Sequence, residues 1–206
     1  MTERIMVRPA SLVPLPPTMT PLDAVMLEPL GVAIHAVDLA KPRLLERVAL
    51  LGLGPIGLLV LQVLRVAGAG EILAVDPLAH RRELGGSLGA TRVTADLAEL
   101  VEWSGGGCPL VVEATNAPEG FAHAVRAARI GGRVVLVGIP DGDRYTLGAA
   151  EARRRALGIK FSRRMGHVYP RAIDLVATGR VDVRRMVTHE IGLEAAPDAF
   201  RRLAAG

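Results

Sequence analysis

Residues 47–76 read RVALLGLGPIGLLVLQVLRVAGAGEILAVD. An apolar run from Val48 to Leu51 meets Gly52-Leu53-Gly54-Pro55-Ile56-Gly57, apolar residues continue to Ala67, and a further apolar run closes on Asp76. This order predicts a strand, a glycine turn, a helix and a second strand. In such a unit Gly52 allows the tight turn off the strand, Gly54 lets backbone approach a pyrophosphate, and Gly57 lets the helix pack closely on the sheet. A helix starting at Pro55 aims its free N–H groups and the positive end of its dipole at the turn, which suits phosphate. Asp76 ends the second strand, where a carboxylate can accept hydrogen bonds from a ribose hydroxyl. The plain alternative is a glycine turn kept for packing, with no ligand. A methyltransferase-type site is a second alternative, but it usually wants an acid just before the first glycine, where this chain has Leu50 and Leu51.

Beyond this unit the alternation is regular. Strands are expected at 48–52, 71–75, 91–94, 110–114, 133–138 and 158–163, with helices near 55–67, 77–88, 96–103, 118–129 and 149–156. Six strands alternating with helices argue an α/β fold with a doubly wound parallel sheet of the Rossmann kind. Ligands on such sheets sit beyond the carboxyl ends of the strands. That rule selects Glu113, Ala114, Thr115 and Asn116 at the end of the fourth strand, Val137, Gly138, Ile139 and Pro140 at the fifth, and Ser162, Arg163 and Arg164 at the sixth. Gly138 would let backbone lie beside a flat ring, and the arginines could hold phosphate or a polar substrate group. A plain strand end and solvated surface are the competing explanations. Gly131-Gly132 is expected to stop the preceding helix, and Gly105 to Gly107 to form a loop.

Before the glycine turn, residues 1–21 carry Pro9, Pro14, Pro16, Pro17 and Pro21, too dense for a long helix, so an extended lead-in is expected. Thr20 before Pro21 is a helix start, with Asp23 in its first turn. Residues 22–39 read as a helix that Pro29 should kink or split. Glu28 is an acid among apolar neighbours and a candidate for a site, a surface carboxylate or cap being the alternative. His35, between Ile34 and Ala36, suits a packed core histidine better than a ligand. After His167 the pattern changes to a helix over 169–178 stopped by Gly179, an extended piece to Ile191, and a helix near 196–204 with no closing strand.

The bulk properties narrow the function. The chain has 206 residues, enough for one full α/β domain with some surplus. Half are hydrophobic and 3% aromatic, so the core is built from Leu, Val, Ile and Ala, as buried parallel strands require. The net charge of +4 comes with scattered arginine pairs and no interleaved aromatics, which argues against nucleic acid. One cysteine, Cys108, excludes an intrachain disulfide, a four-cysteine zinc site and a CxxC pair; a reducing cytoplasm fits. No apolar run approaches a membrane span, and no signal-peptide core is present, so a soluble protein is expected.

The residues now on the page resemble the zinc-type medium-chain dehydrogenases, in the sorbitol or polyol and threonine dehydrogenase-like branch. The resemblance runs through Leu12-Val13-Pro14-Leu15-Pro16, Glu28-Pro29-Leu30-Gly31 with His35-Ala36-Val37, the glycine turn, Asp76 with Arg81, Leu88-Gly89-Ala90, and Gly131 to Gly138. It implies that Ile56, Asp76, Arg81, Val137, Gly138 and Ile139 line an NAD site, with Arg163, Arg164 and Met165 bordering nicotinamide and substrate. Asp76 favours NAD because a carboxylate repels a 2′-phosphate; Arg81 and Arg82 leave room for NADP. In the polyol branch the glutamate of the Glu-Pro motif sits at the catalytic zinc, so Glu28 and Arg164 are the catalytic candidates and Glu28 the one metal candidate. The family reaction is oxidation of a secondary alcohol, zinc acting as Lewis acid while hydride passes to nicotinamide.

The departure from the family is large. A catalytic domain carrying the cysteine and histidine ligands precedes the lead-in in the family, and only a few residues precede it here; the closing strand is also missing. The resemblance therefore divides the chain into 1–40, the lead-in and a remnant of the catalytic domain; 41–166, the NAD-binding domain; and 167–206, a helical segment of the catalytic domain. It implies that the chain supplies the NAD side alone, binds no zinc by itself and is weakly active or inactive. The alternatives are a nucleotide-binding module or subunit completed by a partner chain, and a zinc-free NADPH reductase, against which Asp76 argues. Pairing of the sixth strand across a twofold axis, as in the family, would make a homodimer or larger homo-oligomer.

Overall fold

Six strands form one parallel sheet: β1 (Val48–Leu51), β2 (Ile72–Val75), β3 (Arg92–Thr94), β4 (Cys108–Glu113), β5 (Ala128–Leu136) and β6 (Gly158–Phe161), in the order β3-β2-β1-β4-β5-β6. The computed structural model describes residues 3–205; Met1, Thr2 and Gly206, which bound the outer predicted segments, lie outside the described residues. Leu51 pairs with Val75 on one side and Glu113 on the other, Glu113 with Leu136, and Leu136 with Phe161, so the carboxyl ends form one level edge. The chain reverses its direction of travel between β1 and β4, which opens a crevice at that edge.

Alternate residues of the strands enter two separate cores, which is why the strands read as continuous apolar runs. Val48, Leu50, Ile72, Ala74, Leu110 and Val112 face one layer; Ala49, Leu51, Leu73, Val111, Val134 and Leu136 face the other. The first layer is closed by α2 (Leu27–Ala40), α3 (Pro55–Val66) and α8 (Tyr169–Ala177), the second by α5 (Leu97–Trp103) and α6 (Gly120–Ala127). Segments on both sides of 41–166 thus share one core with the sheet: Leu30, Ile34 and Val37 before it, Val168, Ala172 and Val181 after it.

The predicted break in the first helix occurs, three residues ahead of Pro29. α1 (Pro21–Val25) ends and α2 begins around Met26. Proline at 29 cannot donate to the Val25 carbonyl and its ring would collide with it, so the chain breaks at that turn and Pro29 enters the first turn of the new helix. α2 ends at Lys41, whose φ of 49° is left-handed. Its last carbonyls are taken by distant cations: Arg133 Nη1 donates to Ala40 O and Lys41 O (2.7 Å each), and Lys160 Nζ to Leu39 O (3.1 Å). Positive charge at a helix carboxyl end is favourable.

Gly131-Gly132 does not stop a helix. α6 already ends at Ala127 and the chain passes straight into β5. The pairing steps from Cys108 with Ala128 to Leu110 with Arg133, so residues 129–132 form a bulge. Gly131 takes a left-handed φ of 69°, and a Cβ on Gly132 would lie 2.8 Å from Arg129 O.

Among the described residues two ion pairs tie the segment before the sheet to the segment after it, Asp38–Arg171 on the surface and the better buried Asp23–Arg184. Thr20 caps α1 in a capping box with Asp23, whose carboxylate also receives Arg184 Nε (2.6 Å) and Nη2 (2.7 Å). The Arg184 hydrogen bond, joined by those of Thr20, holds the Asp23 carboxyl well below the ordinary carboxylate range. A group depressed in the folded state stabilises above its unfolded pKa, about 3.9, and that contribution is lost as pH falls towards the folded value. Asp23→Asn is therefore expected to lower stability at pH 7 by at least about 1 kcal/mol, the usual worth of a cap. The gap from wild type should begin to narrow as pH drops below about 4. Urea unfolding of both chains at pH 7 and pH 3.5 checks this; a gap that stays constant would contradict it.

The remaining helices are α4 (Ala79–Ser87), α7 (Ala149–Arg155) and α9 (Ala196–Ala205). The lead-in forms a single 3-10 turn at Pro9–Ser11 and is largely exposed. Among the described residues no helix is long and apolar enough to cross a membrane.

Candidate functional site

The glycine turn leaves β1 at Gly52, whose φ of 91° is left-handed and whose N–H donates to Val75 O (2.8 Å). A Cβ there would lie 2.8 Å from Ala114 O. A Cβ on Gly57 would fall inside the Gly52 carbonyl oxygen. Both glycines are thus fixed by the chain's own packing. Gly54 is not: its φ of −69° suits any residue, and the nearest atom to a Cβ there is Arg81 Nη1 at 3.8 Å. It precedes Pro55, the first residue of α3, so the helix N-terminus opens onto the space a side chain at 54 would fill.

Asp76 stands at the end of β2, only 2% exposed. Its Oδ2 accepts the Leu53 N–H (2.8 Å) and its Oδ1 the Leu78 N–H (2.9 Å), so the carboxylate is locked by two backbone donors from either side of the turn. Arg81 Nη1 lies 3.6 Å from Oδ2 with its side chain partly exposed. Arg82 is already engaged, donating to the carbonyls of Asp76 (2.8 Å) and Pro77 (2.7 Å).

These groups border a cleft of ≈ 560 Å³ along the carboxyl edge of the sheet. Of the sequence-predicted set, Gly52, Gly54, Pro55, Ile56, Asp76, Arg81, Ala114, Thr115, Val137, Gly138 and Ile139 line it. Asn116, selected by the strand-end rule, lines it as well, as do Pro77 and Ala117, which were missed though each directly follows a predicted strand-end residue. A second hollow of ≈ 450 Å³ shares Gly52, Pro77, Thr115 and Ala117 with the first and is walled by Val75, Ala95 and Leu97, with Asp96, His123 and Arg126. No motif marks the turn after β3 or the polar residues of α6, so only the strand-end rule could have found it.

Glu113, selected by the strand-end rule, is 2% exposed at the end of β4 and holds Thr115 of the cleft from beneath. Its Oε1 accepts the Thr115 N–H (2.7 Å) and is also hydrogen-bonded by the Thr115 hydroxyl. Burial pushes its carboxyl up, opposed by hydrogen bonds from Thr115 and Gly138. A Cβ on Gly138 would collide with the Thr115 carbonyl, so close strand-end packing already requires glycine there, whatever lies in the cleft.

Four candidates lie elsewhere. Glu28 is exposed in the first turn of α2, and Arg163 and Arg164 are exposed after β6, Arg164 with a left-handed φ of 54°. Met165 packs its sulfur into the space left by Gly31 on α2. The structure thus brings the loop at 165 beside the helix of Glu28, outside the cleft that holds the other residues.

Residues 55–178 match the family model for zinc-binding dehydrogenases. The chain belongs to that family. Among curated relatives, the sorbitol dehydrogenase of Homo sapiens is 32% identical over 200 residues, covering 93% of this chain and 56% of the relative. The sorbitol dehydrogenase of Bacillus subtilis (strain 168) is 28% identical over 194 residues, covering 91% and 55%. A solved structure of a provisionally assigned zinc-binding dehydrogenase from Sinorhizobium meliloti 1021, bound to NADP, superposes with a TM-score of 0.83 at 34% identity, covering 90% of this chain and 57% of that one. The chain spans about half the length of the relatives it matches.

Zinc, which the family name implies, does not fit the donors present. Among the described residues no group of three or more His, Cys, Asp or Glu side chains gathers where it could hold a metal. Glu28 and His35 are two turns apart on α2, about 10 Å along the axis. Cys108 is buried in the sheet, and burial pushes its thiol up to about 12.

Proposed function

We infer that this chain is the dinucleotide-binding part of a zinc-type alcohol or polyol dehydrogenase, with NAD as its cofactor. One observation carries this most directly: internal packing demands glycine at 52 and 57 but leaves 54 free, and what a side chain at 54 would occupy is the mouth of a helix N-terminus. Backbone access for a pyrophosphate explains that vacancy. In this reading Asp76 receives the adenosine ribose, the hollow walled by Val75, Ala95 and Leu97 takes the adenine, and the nicotinamide half lies along Ala114, Thr115, Val137, Gly138 and Ile139. Asp76 favours NAD over NADP by repelling a 2′-phosphate. With Arg82 engaged by backbone carbonyls, Arg81 is the nearer cation left to oppose that preference.

The chemistry supported is hydride transfer between a secondary alcohol, of polyol type by the company of the relatives, and the nicotinamide. Residues 41–166 form the cofactor domain in this reading, and the flanking 1–40 and 167–206 carry the approach to a catalytic domain. Glu28, Arg163, Arg164 and Met165 would then belong to the substrate side, completed by groups beyond the described residues. Because no donor set here fits zinc, no step is assigned to the metal. A cytoplasmic homodimer or larger homo-oligomer pairing along β6, the sheet edge, belongs to the same proposal.

Calorimetric titration with NAD, NADH and NADPH tests the reading. The chain is expected to prefer NADH, and Asp76→Asn to weaken NADH about tenfold and to narrow the preference over NADPH, as removal of one charge-assisted hydrogen bond implies. A folded chain that binds none of the three would refute it. A second reading, a non-catalytic nucleotide-binding module or a subunit completed by a partner, is favoured by the lack of a ligand cluster among the described residues. Bound zinc with rapid sorbitol oxidation by the same preparation would exclude it.

A further inference from the structure

The loop over residues 139–148, between β5 and α7, carries no family motif, yet it returns one side chain to the backbone of Gly138, which lines the cleft. Tyr145 donates its hydroxyl to the carbonyl of Gly138 at 2.7 Å. Its ring is held edgewise by Phe121 of α6 (centroids 5.8 Å apart, 84°) and Phe161 of β6 (5.3 Å, 60°). These contacts join three elements around one strand end. The other end of the same residue is also fixed, since the Gly138 N–H donates to the backbone carbonyl of Glu113 at 3.1 Å. Gly138 has no side chain with which to anchor itself, and its neighbour Ile139 is largely exposed, so these two hydrogen bonds set where the backbone of Gly138 lies.

Gly138 lines the cleft beyond the α3 N-terminus, on the side away from Asp76. With the ribose of adenosine at Asp76 and the pyrophosphate at Gly54, the second nucleoside must run towards β4 and β5. We propose that Tyr145 is a positioning residue for the nicotinamide half of the cofactor, holding the Gly138 carbonyl and the strand end behind the ring. The proposal rests on the dinucleotide reading given above. Burial, with the charges of Glu113 and Asp143, raises the phenol's pKa, so it remains a donor through the physiological range.

The test uses the full chain, its Tyr145→Phe variant and two ligands, NADH and ADP-ribose, which shares everything but the nicotinamide. Tyr145→Phe keeps the ring contacts with Phe121 and Phe161 and removes only the hydroxyl. It is expected to weaken NADH by about fivefold, the loss of one hydrogen bond, and to blunt the fluorescence change of bound NADH, while ADP-ribose stays within about twofold. Equal affinity of both chains for NADH would overturn the role of Tyr145, as would a parallel weakening of both ligands, which marks a structural effect. Wild-type binding of ADP-ribose with no gain for NADH would overturn it too, there being no nicotinamide subsite to position. Failure of the folded wild type to bind either ligand would instead remove the dinucleotide reading and this proposal with it.

Discussion

Gly54→Val is expected to lower NADH affinity by at least about 100-fold while leaving the fold intact. The Cβ of the new side chain meets nothing in the protein closer than the flexible end of Arg81 at 3.8 Å, and φ at 54 is ordinary for valine. Its methyl groups would stand where the α3 N–H groups meet a phosphate. Losing two charge-assisted hydrogen bonds costs about 3 kcal/mol, which is about 100-fold. Valine is a poorer helix cap than glycine, so a stability loss of about 1 kcal/mol and a fall in Tm of about 3 °C are expected. Titration calorimetry and thermal unfolding on the same sample separate the two effects. Unchanged affinity would mean that no phosphate sits at α3.

Gly57→Ala should do the reverse in kind: the damage falls first on the fold. A single methyl there overlaps the Gly52 carbonyl, backbone against backbone, with no flexible side chain to yield. Either α3 lifts from β1, where Leu58, Leu59 and Leu61 are buried, or the turn at Gly52 distorts. Overpacking of this kind costs about 3 kcal/mol. Urea unfolding should show a much lower midpoint than that of Gly54→Val, and cofactor binding should fall only as far as the turn is displaced. A Gly57→Ala chain as stable as wild type would show that the close approach of turn and helix is not needed.

The contrast between these glycines explains what was legible in the sequence. The motif named both, but the sequence could not say that one is required by a carbonyl and the other by open space. The central strands were readable because β1, β2 and β4 are buried on both faces, and each begins and ends within two residues of expectation. β5 was misplaced at its start because its bulge uses two glycines, a composition that also ends helices. Most of the cleft was legible through the strand-end rule. Glu113 was legible by position only, and Tyr145 was not legible, since each acts through a neighbour's backbone, a relation that spacing does not encode. The arginines after β6 were grouped with the cleft by the strand-end rule and by resemblance, whereas the structure turns that loop towards α2 through Met165.

The way α2 is finished has a consequence for the order of events during synthesis. This helix precedes the whole sheet in the chain, yet its carboxyl end is closed by Arg133 and Lys160 and its apolar stripe is covered by α3 and α8. Until Ala177 has emerged, Leu30, Ile34 and Val37 have only part of their cover. At roughly 5–20 residues per second that interval is on the order of ten seconds, long enough for a nascent chain to meet chaperones or other chains. Contacts that span most of the sequence also slow the final closure. A helix made before the sheet is thus completed only after it.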